Sequence, residues 1–212
     1  MSTLTLYHCR DSRSLRPLWA LEEMKISYKL INMEFPPRYQ YEGYLNINPL
    51  GTVPTLLDGT LTLTESTAIC QYLVEKYDDK NISLSIEHPE YGDYLTWLHR
   101  SDSTFTFPQT LVLRYSRFES QNRLQPQIVE DYKQWFNNRI RSIETALENK
   151  NYLCANKFTI ADICVGYALF LAKELNIDEK FGPNTRAYLS RLTSREAFKS
   201  ALAKQSHLAK IF

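Results

Sequence analysis

The chain has 212 residues, enough for one large domain or two small ones, and its 25 Lys and Arg against 24 Asp and Glu leave a formal net charge of +1. That balance offers no basic stripe for nucleic acid and no basic patch for an anionic membrane, so neither partner is expected. An apolar content of 43% describes a folded globule, and the four cysteines (Cys9, Cys70, Cys154, Cys164) and four histidines (His8, His88, His99, His207) show no metal-ligand spacing, so no metal is expected.

Taken in chain order, residues 4–7 read as a buried strand and 15–24 as a helix. With Ser14 as N-cap, Pro17 falls at the third helical position, where a missing N–H costs little. Residues 28–32 read as a second strand and 35–47 as an irregular, aromatic-rich segment. Residues 55–57 and 61–63 flank Asp58-Gly59-Thr60 as a hairpin. Ala68, Ile69, Tyr72 and Leu73 then share one face of a helix that opens near Glu65-Ser66. The order β-α-β-irregular-β-β-α predicts a small mixed sheet with helices packed on it.

Near residue 78 the pattern changes. Asp78-Asp79-Lys80-Asn81 is polar and Pro89 follows, which predicts a first domain over 1–80, a linker over 81–90 and an all-helical domain over 91–212. Ile128, Tyr132, Trp135, Phe136, Ile140, Ile143 and Leu147 form one helical stripe. Ile160, Ile163, Cys164, Tyr167, Ala168 and Leu171 form another, and Thr159 with Asp162 has the spacing of a capping box. The longest mostly apolar stretch, 163–172, is about half the ~20 residues of a membrane span. Polar residues and Arg10 interrupt the N-terminal stretch where a secretory leader is apolar, so a reducing, cytoplasmic setting is expected.

Chemistry concentrates in residues 48–73, NPLGTVPTLLDGTLTLTESTAICQYL. Val53-Pro54 precedes a short strand, and a strand edge offers backbone hydrogen bonds to an extended peptide. Glu65-Ser66 opens a helix, whose start offers unpaired N–H groups and a positive dipole end to a carboxylate. A cis Val53–Pro54 bond would turn the Val53 N–H and C=O toward a guest, while a trans proline at a strand's first residue is also tolerated. Glu65-Ser66 equally suits a plain helix cap. Ser12, between the first strand and its helix, either faces a crevice at the strand's carboxyl end or shares capping with Ser14. Tyr7 either points its phenol at that crevice or fills the core. Cys9 lacks the partner that thiol redox chemistry needs, and nothing resembles a GxGxxG or phosphate loop.

Together these motifs resemble the cytosolic glutathione transferases over the full length of the chain. LYHCRDSRSLRPLWALEE resembles the family's first strand and helix, and NPLGTVPTL its cis-proline segment. LTESTAICQYL resembles the γ-glutamyl-binding turn and helix, and FTIADI the capping box of the helical domain. The likeness is to a serine-type member, theta-, phi- or beta-like in the bacterial style. It implies an α/β thioredoxin-like N-terminal domain, an all-α C-terminal domain, a homodimer, and glutathione as co-substrate. It also implies that Val53 pairs its backbone with the cysteinyl unit, that Pro54 is cis, and that Glu65 and Ser66 hold the γ-glutamyl end. Thr52 stands where relatives often place Lys or Gln on the glycine carboxylate, with Arg38 or Tyr39 as expected substitutes. Ser12 falls where serine-type classes keep the catalytic hydroxyl. Tyr7 is the second choice, and Arg13 and Ser14 are near enough to assist. The implied reaction is attack of the glutathione sulfur on a small hydrophobic electrophile, in detoxification, in a crevice lined by the helical domain near Phe105 and Phe107. The alternatives are a glutathione-dependent isomerase or peroxidase, and a non-catalytic ligand-binding or interaction protein of the same fold.

Overall fold

In the computed structural model, which describes residues 4–77 and 81–211, the alternating first part of the chain folds as β1 (Leu4–Cys9), α1 (Leu15–Met24), β2 (Tyr28–Met33), β3 (Thr55–Asp58), β4 (Leu61–Leu63) and α4 (Ser66–Lys76). The polar Asp78-Asp79-Lys80 stretch read as a linker start lies outside the described residues. The segment read as irregular contains two short helices, α2 (Pro37–Gln40) and α3 (Tyr44–Ile47). Strand order is β2-β1-β3-β4, with β2 parallel to β1 and the pairs β1–β3 and β3–β4 antiparallel. β1 runs to Cys9 rather than Tyr7, because His8 and Cys9 are fully buried and pair with Asn32 and Met33.

Register decides where the functional segments meet. Tyr7 pairs with Thr55, and Leu56 with Leu63. The carboxyl end of β1, the amino end of β3 and the carboxyl end of β4 therefore share one end of the sheet. The Ser12 loop, the Val53-Pro54 segment and the Glu65-Ser66 corner are the continuations of those three ends, and α1 and α4 begin there.

α1 buries Leu15, Leu18, Trp19 and Leu21, and its partner is α10 (Glu196–Gln205). The Trp19 and Phe198 rings meet at 4.8 Å, and Arg195 grips Glu23 with two hydrogen bonds, at 2.5 and 2.9 Å. Residues 193–211 accordingly form one compact unit with residues 1–80, and residues 81–192 form the other. The expected helical domain over 91–212 thus has its last helix counted with the first unit.

The second unit comprises α5 (Tyr91–Arg100), α6 (Phe107–Leu113), α7 (Pro126–Ala146), α8 (Ile160–Glu174) and α9 (Pro183–Thr193), with π-helical turns at Ser101–Thr106 and Arg114–Phe118 on either side of α6. Ile82 and Leu84, just before α5, are buried, and the Ile82 carbonyl accepts the Ile160 N–H at 2.8 Å. The capping box of α8 is formed: Asp162 Oδ2 accepts from the Thr159 N–H at 2.8 Å and the Thr159 hydroxyl at 3.0 Å. One expectation is corrected. Phe105 does not line a crevice, because the wide π turn folds it into the core, fully buried with its ring stacked 6.3 Å from Trp97. Phe107, next in line, is 52% exposed. Among the described residues no helix is long and apolar enough to cross a membrane.

Candidate functional site

Three candidate hydroxyl residues lie at or just beyond the carboxyl end of β1. Ser12 is half-buried, whereas Ser14 is fully buried and Tyr7 nearly so. Ser14 occupies the expected N-cap place of α1 but makes no side-chain cap bond. Its Oγ instead lies 2.7 Å from Ser12 Oγ and 2.7 Å from His8 Nδ1, and accepts the Cys9 N–H at 3.3 Å. Ser12 Oγ also donates to the Cys9 carbonyl at 2.8 Å. Ser14 therefore makes no cap bond, while Ser12 Oγ accepts the Ser14 N–H at 3.3 Å just ahead of α1.

Tyr7 and Cys9 lie on one sheet face with Met33 and Tyr44, and Val53 packs against that cluster. The Tyr7 ring meets Tyr41 edge-on at 6.2 Å and Tyr44 at 5.7 Å. Burial, then the neighbouring Tyr41, raises the Tyr7 phenol above its ordinary range. Burial, then Glu34, pushes the Cys9 thiol up to about 12. A thiol held neutral in this way is a poor nucleophile. Iodoacetamide at neutral pH is expected to leave Cys9 unmodified in the native protein, as read by mass spectrometry of its peptide; labelling at the pace of a free thiol would contradict its burial.

Before β3, a buried clamp holds the loop over residues 48–54. Tyr44 Oη donates to the Thr52 carbonyl at 2.6 Å, and Asn48 Nδ2 reaches the same oxygen at 2.8 Å. Asn48 also donates to Thr55 Oγ1 at 3.0 Å and accepts the Leu50 N–H at 3.0 Å. Gly51 turns the chain at φ +63°, and a Cβ there would come within 2.9 Å of Arg38 Cβ, so Arg38 packs directly on this loop. The Val53–Pro54 peptide is cis. Thr52 is exposed, Val53 half-buried and Pro54 buried, and strand pairing begins only at Thr55. Tyr39 is 75% exposed, with the Arg38 guanidinium 4.8 Å over its ring.

At the third corner Glu65 is exposed and sits at φ 64°, ψ 109°, a conformation that L side chains rarely adopt. Strain of this kind concentrates where a ligand is gripped. Ser66 follows as the first residue of α4, buried, its Oγ accepting from Arg16 Nη1 at 2.8 Å. Arg16 is fully buried and ties the start of α1 to the start of α4. Two helix N-termini and a buried guanidinium at one end of a sheet make that end attractive to carboxylates. Arg16, Asn48, Tyr44 and His8 were not singled out from the sequence, where nothing local links them to the motifs they support. Among the described residues no His, Cys, Asp and Glu group is arranged to hold a metal ion.

A family model described as Glutathione S-transferase, N-terminal domain, matches residues 2–75, and one described as Glutathione S-transferase, C-terminal domain, matches residues 118–196. The chain is 32% identical to Glutathione S-transferase 2 of Schizosaccharomyces pombe, over 98% of this chain and 100% of that protein. Among solved structures it is similar to the ternary complex of BphK, a bacterial GST, with a TM-score of 0.84 and 28% identity over 95% of this chain and 99% of that one. It is equally similar, with a TM-score of 0.84 and 26% identity over 97% of both chains, to the glutathione transferase URE2P6 from Phanerochaete chrysosporium in complex with oxidized glutathione.

Proposed function

This chain belongs to the glutathione S-transferase family, and on that premise we propose that Ser12 supplies the hydroxyl that activates the glutathione thiol. The protein is a glutathione transferase, joining glutathione as co-substrate to an electrophile. One observation carries the assignment of Ser12: of the three hydroxyls near the end of β1, its own is the one only half-buried, while Ser14 and Tyr7 are withdrawn into the interior.

A cysteine-like thiol has a pKa of about 8.5, so only a few per cent is ionised near neutrality. A hydrogen bond to a charged group contributes about 1.5–3 kcal/mol. At roughly 1.4 kcal/mol per unit, a Ser12 O–H aimed at the sulfur lowers the thiol pKa by about one to two units. The thiolate then attacks an electrophilic carbon held beside it. Titrating the thiolate absorbance of bound glutathione tests this. The wild type is expected to titrate one to two units below free glutathione and Ser12→Ala close to it; equal values in the two proteins would remove Ser12 from the role.

Peptide recognition follows the sheet end. Val53 lies outside the strand ladder, which suits pairing of its backbone with the cysteinyl unit. Glu65 and the first N–H of α4 at Ser66 suit the γ-glutamyl end, with Arg16 placing a positive charge behind the Ser66 hydroxyl. Thr52 and the Arg38 side chain packed on Gly51 suit the glycine carboxylate. Replacing Asn48 by alanine removes one of the two donors on the Thr52 carbonyl and the acceptor of the Leu50 N–H, so Asn48→Ala is expected to weaken glutathione binding ~10-fold, or about 1.4 kcal/mol, with kcat little changed. Calorimetric titration checks it, and an unchanged Kd would show that the clamp does not shape the peptide site. A homodimer and a cytoplasmic location complete the reading, supported by family membership and, for the location, by four buried cysteines that form no disulfide among the described residues.

A further inference from the structure

The loop that carries Ser12 begins with a turn. Cys9, Arg10, Asp11 and Ser12 form it, closed by the Ser12 N–H on the Cys9 carbonyl at 3.3 Å. Asp11, third in that turn, sits at φ 57°, in the left-handed region. Aspartate tolerates that region, but glycine is the residue that takes it freely. A side-chain-bearing residue keeps such a conformation where its surroundings over-determine it.

Those surroundings come from α10, 194 residues further along the chain. Gln205 Oε1 accepts the Asp11 N–H at 3.1 Å, and Gln205 Nε2 donates to Asp11 Oδ1 at 2.6 Å. One amide thus holds both the main chain and the side chain of the strained residue. Asp11 and Gln205 are almost fully buried, and Arg10 Nε lies 3.3 Å from the second Asp11 oxygen. Arg10 Nη1 also donates to the carbonyls of Ser206, at 3.1 Å, and Leu208, at 2.6 Å. The end of α10 therefore grips both residues that precede Ser12.

A second tie reaches Ser12 from the other side. A backbone N–H donates and a carboxylate accepts, so Asp11 fixes the Gln205 amide with its oxygen toward His8. That oxygen lies 2.9 Å from His8 Nε2, which donates to it. Burial holds the imidazole down at about 4, so at neutral pH Nδ1 is a bare acceptor for the Ser14 hydroxyl at 2.7 Å. Ser14 Oγ in turn lies 2.7 Å from Ser12 Oγ. With the Ser14 hydrogen committed to His8, the Ser12 hydrogen is the one left to turn toward a sulfur.

Resting on the reading of Ser12 above, we propose that Gln205 is a positioning residue of the reaction, holding Asp11 in its left-handed turn and so setting where the Ser12 hydroxyl meets the glutathione sulfur. Hydrogen bonds weaken steeply as distance and angle depart from the optimum, so a small shift of the turn is enough to lose much of that contact. Docking of α10 does not account for Gln205. The helix is anchored independently by the Trp19–Phe198 ring contact, by Arg195 on Glu23 and by Lys204 on Glu22. What Gln205 holds in particular is the turn.

Titration of the bound thiol and an exchange of partners test the role. Gln205→Ala is expected to raise the thiol pKa of bound glutathione by about one unit and to lower kcat near neutrality ~10-fold, one unit being tenfold in the ionised fraction. The Kd for glutathione is expected to stay within about twofold, because the peptide contacts lie elsewhere. Gln205→Glu removes the donor and sets two carboxylates face to face, with the same expected loss. Adding Asp11→Asn to Gln205→Glu exchanges amide and carboxylate. Asparagine suits a left-handed turn, and the new carboxylate still accepts from the residue 11 N–H and from His8, so the thiol pKa is expected to return to its wild-type value. Single variants that keep the wild-type thiol pKa, even with a lowered Tm, would overturn the positioning role, as would an exchange variant as impaired as the singles. Should Gln205→Ala fail to fold, Gln205→Asn, whose amide falls one methylene short of Asp11, carries the same expectation. Ser12→Ala run alongside separates the two readings. If it leaves the thiol pKa unmoved, the Ser12 reading falls and this one with it; a shift in Ser12→Ala with none in the Gln205 variants removes Gln205 alone.

Discussion

Ser12→Ala is expected to lower kcat/KM by about 10–100-fold near neutral pH, the rate equivalent of losing a charge-assisted hydrogen bond of about 1.5–3 kcal/mol. The peptide contacts at Val53, Glu65 and Ser66 do not depend on this hydroxyl, so KM for glutathione should move much less than kcat. The deficit should also depend on pH. It is largest where the wild-type thiol is ionised and the variant's is not, and it narrows in alkaline solution, where the thiol ionises unaided. Ser12→Thr keeps the hydroxyl and should recover part of the rate, while Tyr7→Phe, altering a phenol buried against Tyr41 and Tyr44, should leave the acid limb of the profile in place. A deficit equal at every pH would mean that Ser12 orders the loop instead of ionising the sulfur.

Asp162→Ala should cost the second unit about 3–5 kcal/mol, because fully buried donors lose their acceptor at once. The Asp162 carboxylate accepts from the Thr159 N–H and hydroxyl, from the Leu153 N–H at 3.1 Å, and from the Tyr188 hydroxyl at 2.7 Å. For a chain of this size each kcal/mol corresponds to roughly 2–4 °C, so Tm should fall by about 10 °C. Burial holds the carboxyl up at about 6, above its ordinary 3.8. A raised folded-state value contributes stability that is complete below the unfolded value and is lost as pH rises through the folded one. The wild-type advantage should therefore be greater at pH 5 than at pH 7. Chemical denaturation at both values checks the sign, and a loss under ~1 kcal/mol would mean that water replaces the carboxylate.

The legible parts of this chain are those whose signal is local. α8 announces its start with Thr159 and Asp162 and keeps an apolar stripe, and the box forms as read. α1 occupies the residues expected of it, since Ser14 and Pro17 mark its beginning and apolar periodicity its length. Contacts between distant residues left no such mark. Nothing near Arg16 in the sequence points to Ser66, yet the fully buried guanidinium meets the Ser66 hydroxyl at the start of another helix. His8 shows no metal spacing, and its partner Gln205 lies near the other end of the chain. Phe105 reads as a pocket aromatic, and the π turn that buries it has no local signature. The three candidate corners were readable as motifs, but their meeting at one sheet end follows from register, which pairs Tyr7 with Thr55 and Leu56 with Leu63.

A crystal structure of the chain with bound glutathione examines the central claim most directly. It should show the sulfur within about 3.5 Å of Ser12 Oγ, the cysteinyl backbone paired with Val53, and the γ-glutamyl carboxylate at the start of α4. A sulfur resting on the Tyr7 hydroxyl, or a tripeptide bound away from that end of the sheet, would contradict it.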